Sequence, residues 1–244
     1  MISDRHRAIF VHIPKCAGQS VEMAFLSDNG LSWETRAPLL LRPNPDPARG
    51  PPRLAHLTAA DYVACGHVSP KTFADYFTFS VVRDPWARAV SLYRHLAPNI
   101  SFRDFAMRWL PEQLAAPGEA PSFWFVRQQA DFVTQGERVV VNDILRFETL
   151  KEEFGRVVAA TGLRSPLPHA NRSEARTNPD IERKPSLVKR LGLAAKAAVT
   201  PQRFETRARW QDFYGPETAA QIGRLYSADV AWFGYDFAMD GARS

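Results

Sequence analysis

Short apolar runs, each ending in a polar turn, alternate along this chain with segments whose apolar residues recur every three or four positions. The runs at 8–13 (AIFVHI) and Phe77–Val82 (FTFSVV) are rich in β-branched and aromatic residues, the composition of buried strands. RVVVNDILRF at 138–147 predicts a further strand, and YVAC at 62–65 a short one that stops at Gly66-His67. After the first run, the turn Pro14-Lys15-Cys16-Ala17-Gly18-Gln19-Ser20 leads into Val21, Ala24 and Phe25 at helical spacing. After the second, Asp84 suits an N-cap and Pro85 the first helical position, which predicts a helix to about Leu96. Helices are also predicted at 102–109, 122–133 and 148–161. A last one at 217–233 carries Ile222, Leu225, Tyr226, Val230 and Phe233 and stops at Gly234.

Strands alternating with helices predict an α/β fold, with three layers around a mostly parallel central sheet and ligand chemistry at the carboxyl ends of its strands. The stretch 36–53 holds six prolines and no periodicity. Strand-like sequence resumes soon after it, so it reads as a surface excursion within a single domain spanning 1–244.

The length of 244 residues, 45% hydrophobic and 23% charged, suits one folded domain and excludes a disordered chain. No run approaches the roughly 18 apolar residues of a membrane span. The opening MISDRHR passes directly into the first apolar run, which argues against a secretory leader. Two cysteines, Cys16 and Cys65, make no disulfide framework and stand in no metal-ligand pattern, so a cytoplasmic location and no metal site are expected. The net charge of +5 is local: residues 164–209 hold eleven Lys and Arg against four Asp and Glu, leaving the remainder of the chain at −2. Such a region fits an anionic ligand, a polyanion or a membrane surface, and equally a solvated pair of surface helices.

Two strand-to-helix junctions carry unusual polar residues. A loop entering a helix presents unpaired N–H groups and the positive end of the helix dipole, so IPKCAGQS can hold a phosphate or sulfate. Lys15 adds charge, Gly18 permits close backbone approach, and Gln19 and Ser20 add donors; a tight turn with a solvated lysine is the plain alternative. The loop is not of the Walker A type, in which the lysine comes last. At the second junction, VVRDPWARAVSLYRHL, the residues Asp84, Arg88, Ser91 and His95 fall on one helical stripe. Arg83 reaching forward could meet Ser91 around a second phosphate. Alternatively Asp84 simply caps the helix and pairs with Arg88.

HIPKCAGQS followed by FSVVRDPWARAVSLY closely resembles the sulfotransferases that use 3′-phosphoadenosine 5′-phosphosulfate (PAPS), in particular the carbohydrate-acting group with the heparan 2-O- and chondroitin enzymes. GHVSPKTF at 66–73, LRFETL at 145–150, PHANRS at 168–173 and LYSADVAWFGYDF at 225–237 extend the likeness over almost the whole chain. The resemblance implies a P-loop-like α/β fold in which Lys15, Cys16, Ala17, Gly18, Gln19 and Ser20 wrap the 5′-phosphosulfate, while Arg83 and Ser91 bind the 3′-phosphate. Asn171, Arg172 and Ser173 close over the nucleotide or contact the acceptor. Cys16 and Gln19 stand where threonines are common, which implies altered affinity rather than loss of binding. A reactive Cys16 with a depressed pKa is the lesser expectation.

The implied reaction is in-line attack of an acceptor hydroxyl on sulfur, with Lys15 meeting the charge on the leaving group and no metal required. His67, expected just past the strand at 62–65 and matching a histidine of the group, is the first choice of base, with Glu34 and Glu22 as alternatives. His12, within the first strand, is expected to be structural, and His169 belongs to the PHANRS segment. The acceptor is expected to be a carbohydrate, a lipid-linked sugar or a small hydroxyl compound, possibly anionic, with peripheral membrane contact open and no nucleic acid. Two other readings stand beside this one. An ATP-dependent phosphoryl-transfer protein suffers from the misplaced lysine. A non-catalytic polyanion-binding module suffers from having only Phe204 and Trp210 as aromatics in its basic region.

Overall fold

The computed structural model describes residues 1–96, 99–117, 120, 122–168 and 209–237. A mixed four-stranded sheet in the order β1-β2-β3-β6 is built from β1 (Ile2–Ser3), β2 (Ala8–Val11), β3 (Phe77–Val82) and β6 (Asp143–Arg146). β2 pairs parallel with β3, Val11 opposite Ser80, and β3 pairs parallel with β6, whereas β1 runs antiparallel to β2. The α/β class is therefore as expected, and the sheet is mixed because the N-terminal turn at 4–7 folds β1 back on β2. Every residue of β2 is buried, as a strand covered on both faces demands. Phe10 stacks on Phe79 at 5.0 Å, and Phe25 of the first helix stacks on Phe79 at 6.0 Å. Each such ring contributes roughly 1.5–3 kcal/mol by leaving water.

Helix α1 (Gly18–Asp28) follows β2, and α4 (Pro85–Leu96) follows β3, both as the pattern predicts. Asp84 caps α4, accepting the amide of Ala87 at 2.8 Å. Residues 62–65 are a correction: they lie in α2 (Ala59–Ala64) and its C-cap rather than in a strand. Thr58 and Asp61 form a reciprocal capping box there, and Tyr62 turns inward to donate to the Phe10 carbonyl at 3.0 Å. Local capping thus outweighs the β-prone composition of YVAC. Helix α3 (Pro70–Asp75) then leads to the amino end of β3.

The expected strand at 138–147 is split. A tight hairpin of β4 (Thr134–Gln135) and β5 (Arg138–Val139) turns at Gly136, whose φ is +59°, and only Asp143–Arg146 joins the main sheet. Residues 102–115 form a continuous helical run through α5 (Phe102–Asp104), a π-turn at Phe105–Trp109 and α6 (Leu110–Ala115). The helix expected at 122–133 breaks into α7 (Phe123–Val126) and α8 (Ala130–Val133), and α9 (Leu150–Thr161) packs on β3 and β6. The last expected helix breaks at Tyr226 into Pro216–Leu225 and Ser227–Phe233, and Gly234 with φ +62° ends it where predicted.

The proline-rich stretch folds as an irregular loop knitted by Asn44, whose side-chain amide donates to the carbonyls of Asp46, Gly50 and Pro51. Most of the basic region, with His169, Asn171, Arg172 and Ser173, lies outside the described residues. No helix among those described is long and apolar enough to cross a membrane.

Candidate functional site

Because β2 and β3 are parallel neighbours, the turns that follow them open at the same edge of the sheet. In the turn after β2, Lys15 and Ala17 both take positive φ, 69° and 61°, with Cys16 between them. Left-handed backbone costs a residue with a Cβ about 1–2 kcal/mol. Such alternation of hand gathers successive amides into a concavity suited to an anion. The amides of Ala17, Gly18 and Gln19 have no acceptor among the described residues, and helix α1 adds the positive end of its dipole there.

Three buried groups hold this turn. Arg88, fully buried, donates to the carbonyls of Pro14 (3.1 Å), Arg127 (3.0 Å) and Phe125 (3.3 Å), tying the loop to the break between α7 and α8. His12 lies beneath Gly18 so closely that a Cβ there would sit 1.9 Å from its Nε2. Its Nδ1 is 2.6 Å from Glu22, itself buried. Gln129, fully buried, clamps the backbone of Arg83, taking its N–H at 2.8 Å and giving its own N–H to the carbonyl at 2.8 Å. The Cys16 thiol donates to Gln129 Oε1 at 3.2 Å, and Asp229 accepts from Gln129 and from the Ala130 amide.

The two junctions touch. Arg83 Nη1 donates to the Lys15 carbonyl at 3.2 Å, while its guanidinium lies over the Phe147 ring at 4.2 Å. Its Nε is buried with no hydrogen-bond partner among the described residues. The Lys15 ammonium likewise meets no acceptor among them. Burial, then the positive charge of Arg83, lowers its pKa to about 8. Two cations, one with an orphaned donor, next to a row of open amides make this edge of the sheet chemically suited to an anion.

His95, near the end of α4, is an exposed residue whose ring stacks on Phe125 at 5.2 Å. Desolvation of the ring against its neighbours, then the charges of Lys15 and Arg53, lowers its pKa to about 4, so the imidazole is neutral at neutral pH. His56 Nδ1 donates to the His12 carbonyl (3.0 Å), and its ring packs near Trp124.

A family model described as "Sulfotransferase family" matches residues 1–236. The chain belongs to the sulfotransferase family. An uncharacterized protein of Archaeoglobus fulgidus is 30% identical over 102 residues, which are 39% of this chain and 76% of that protein. No solved structure matches the chain.

In this member of the family the residues Lys15, Cys16, Ala17, Gly18, Gln19, Ser20 and Arg83 lie at one edge of the sheet, and Ser91 lies about two turns into α4; their side chains divide. Gln19 is exposed, Ser20 buried and Ser91 half-buried on α4. Cys16 points inward, and burial pushes its thiol up to about 12, so the expectation of a reactive, acidified thiol is corrected. Gly18 makes room for the His12 ring rather than for a ligand alone. Asp84 does not pair with Arg88, since Arg88 turns to the three carbonyls, and burial pushes the Asp84 carboxyl up to about 6.

His67 is not brought to Lys15. It follows a helix rather than a strand, and its Nε2 donates to the Arg49 carbonyl (2.8 Å). It lines a surface hollow with Asp4 and Tyr76, which precede β2 and β3. Of the alternatives, Glu22 is locked to His12, and Glu34 is exposed and accepts from Ser32. Arg88, Gln129 and Asp229 were not legible as supports. On the helical pattern Arg88 falls on the polar stripe with Asp84, Ser91 and His95, which hid its burial.

Proposed function

We propose that this protein transfers the sulfuryl group of PAPS to an acceptor hydroxyl. The observation that carries the reading is the contact between the two corners: an open amide cradle with Lys15, bonded at 3.2 Å to an Arg83 whose Nε lacks a partner. In this reading the amides after Ala17 and the Lys15 ammonium hold the 5′-phosphosulfate, and Arg83 with Ser91 holds the 3′-phosphate, as the family resemblance implies. Sulfuryl transfer builds charge on the oxygen that bridges sulfur and phosphorus, and in this reading the Lys15 ammonium meets that charge. The hydroxyl proton needs a neutral, accessible acceptor near Lys15, and His95 meets that description where His67 does not. A carbohydrate acceptor is the choice the resemblance favours.

The test is calorimetry with adenosine 3′,5′-bisphosphate and ATP, followed by turnover with labelled PAPS. The bisphosphate is expected to bind at least tenfold more tightly than ATP. Lys15→Ala is expected to retain the fold and lose about 10²–10³ in rate, the usual cost of one preorganised donor. Preference for ATP would establish the phosphoryl-transfer reading instead.

A further inference from the structure

One buried side-chain amide joins the two corners. Gln129 stands directly before α8, and all of its hydrogen-bonding positions are taken. Its Oε1 accepts the Arg83 N–H at 2.8 Å and the Cys16 thiol at 3.2 Å. Its Nε2 donates to the Arg83 carbonyl at 2.8 Å and to Asp229 Oδ2 at 3.2 Å. A glutamine offers two lone pairs and two N–H groups, so nothing is left over. The thiol's other neighbour, the Pro14 carbonyl, is farther off at 3.7 Å and already accepts from Arg88. Cys16 belongs to the Lys15 turn and Arg83 directly follows β3, so a displacement of either corner reaches the other through this one group.

Asp229 decides which way that amide faces. Its Oδ1 accepts the Ala130 N–H at 2.8 Å and its Oδ2 the Gln129 Nε2, and the residue is fully buried. Turning the Gln129 amide over would set its oxygen against this carboxylate and its NH2 against the Arg83 N–H, two like pairs shut away from solvent. The helix that carries Asp229, Ser227–Phe233, is itself pinned beside the break between α7 and α8. There the Ala228 N–H donates to Gln128 Oε1 at 3.0 Å, and the Tyr226 hydroxyl to the Val126 carbonyl at 2.8 Å. Gln129 and Asp229, both fully buried, can act on a nucleotide only through Cys16 and Arg83.

We infer that Gln129 is a positioning residue that couples the two anion corners, with the Cys16 thiol as its link to the Lys15 turn and Asp229 as the group that orients it. The inference rests on the reading in which one donor nucleotide spans both corners, and adds what holds their separation. A ligand with a phosphate at each end gains from corners held at a fixed distance, because the ordering is done before it binds; a ligand with one phosphate gains nothing from it. Cys16 thereby acquires a role that its buried, unacidified thiol otherwise lacks.

Calorimetry on the full chain with adenosine 3′,5′-bisphosphate, 5′-AMP and 3′-AMP tests the coupling, since the first engages both corners and each of the others one. Cys16→Ala cuts the link alone. It is expected to weaken the bisphosphate about three- to tenfold, the worth of one hydrogen bond, and each monophosphate by no more than about twofold. Cys16→Ser, which keeps a donor, is expected to recover part of that loss. Asp229→Asn, however its amide is turned, sets an NH2 against one of two donors; it is expected to weaken the bisphosphate and 3′-AMP about tenfold and 5′-AMP by no more than about twofold. Equal losses on all three nucleotides would make Gln129 a general support of the fold and overturn the inference, as would a Cys16→Ala protein that binds the bisphosphate like its parent. An infrared measurement needs no ligand. With Cys65→Ala removing the other thiol, the Cys16 S–H stretch is expected below that of an unbonded thiol, and to rise in Gln129→Met; a free-thiol frequency without the Gln129 change overturns the inference as well. Should the parent bind the bisphosphate no more tightly than 5′-AMP, the donor reading fails instead, and the S–H band still judges the link on its own.

Discussion

Lys15 keeps its charge against burial and against Arg83, and the balance depends on pH. Its folded pKa lies near 8, below its ordinary 10.5, so below pH 8 the ammonium is present in folded and unfolded chains and its burial is a full cost to stability. As pH rises from about 8 to 10.5 the folded protein sheds the proton first and that cost disappears, while the attraction for an anion disappears with it. Affinity for adenosine 3′,5′-bisphosphate is therefore expected to fall as pH passes about 8, and Lys15→Arg, charged throughout, to flatten the fall; a parallel decline in both proteins on calorimetric titration would place the titrating group elsewhere. His95 and His67 divide by position in the same way. His95→Gln is expected to reduce turnover about 10²-fold with bisphosphate affinity intact, and His67→Gln to leave turnover within about twofold. The reverse ranking in a rate assay would return the proton to His67.

At the scale of elements, the turn from β2 to α1 is held in a costly conformation by what lies under it. The His12 ring occupies the space a Gly18 side chain would need, and Glu22, one turn further along α1, holds that ring. Gly18→Ala is expected to lower stability by about 1–3 kcal/mol, the usual range for overpacking. Combined with His12→Ala it should cost less than the two single changes added, because the clash needs both groups. Strict additivity in thermal unfolding would show that the ring and the glycine are independent. The turn itself was legible from sequence because AIFVHI and the polar run after it are contiguous, and so was the corner at Arg83, where Asp84 and Pro85 announce a helix start. The supports were not. Gln129 and Asp229 come from segments far away along the chain, and the Phe125 and Arg127 carbonyls that take Arg88 are open to it only because the helix breaks between α7 and α8. His67 was misread for a local reason: Thr58 and Asp61 convert a β-like tetrapeptide into a helix, which carries the histidine away from the strand ends.

Over the whole molecule the sheet order decides what the two corners can share. Had β2 and β3 been separated by another strand, the Lys15 loop and Arg83 would have opened some 10 Å apart; as direct parallel neighbours they touch, and one ligand with phosphates at both ends can span them. Such a ligand links β2, α1, β3 and α4 in the folded state only, so it raises stability by mass action, about 2.7 kcal/mol at a concentration one hundred times its dissociation constant. Adenosine 3′,5′-bisphosphate is therefore expected to raise the unfolding temperature more than 5′-AMP at equal concentration, because only the former reaches Arg83. Arg83→Ala should bring the two nucleotides to the same smaller shift, while Lys15→Ala should reduce both, since each carries the 5′-phosphate. Equal shifts from both nucleotides in the parent protein would mean that the second corner holds no phosphate, and the orphaned Arg83 Nε would then require a different partner.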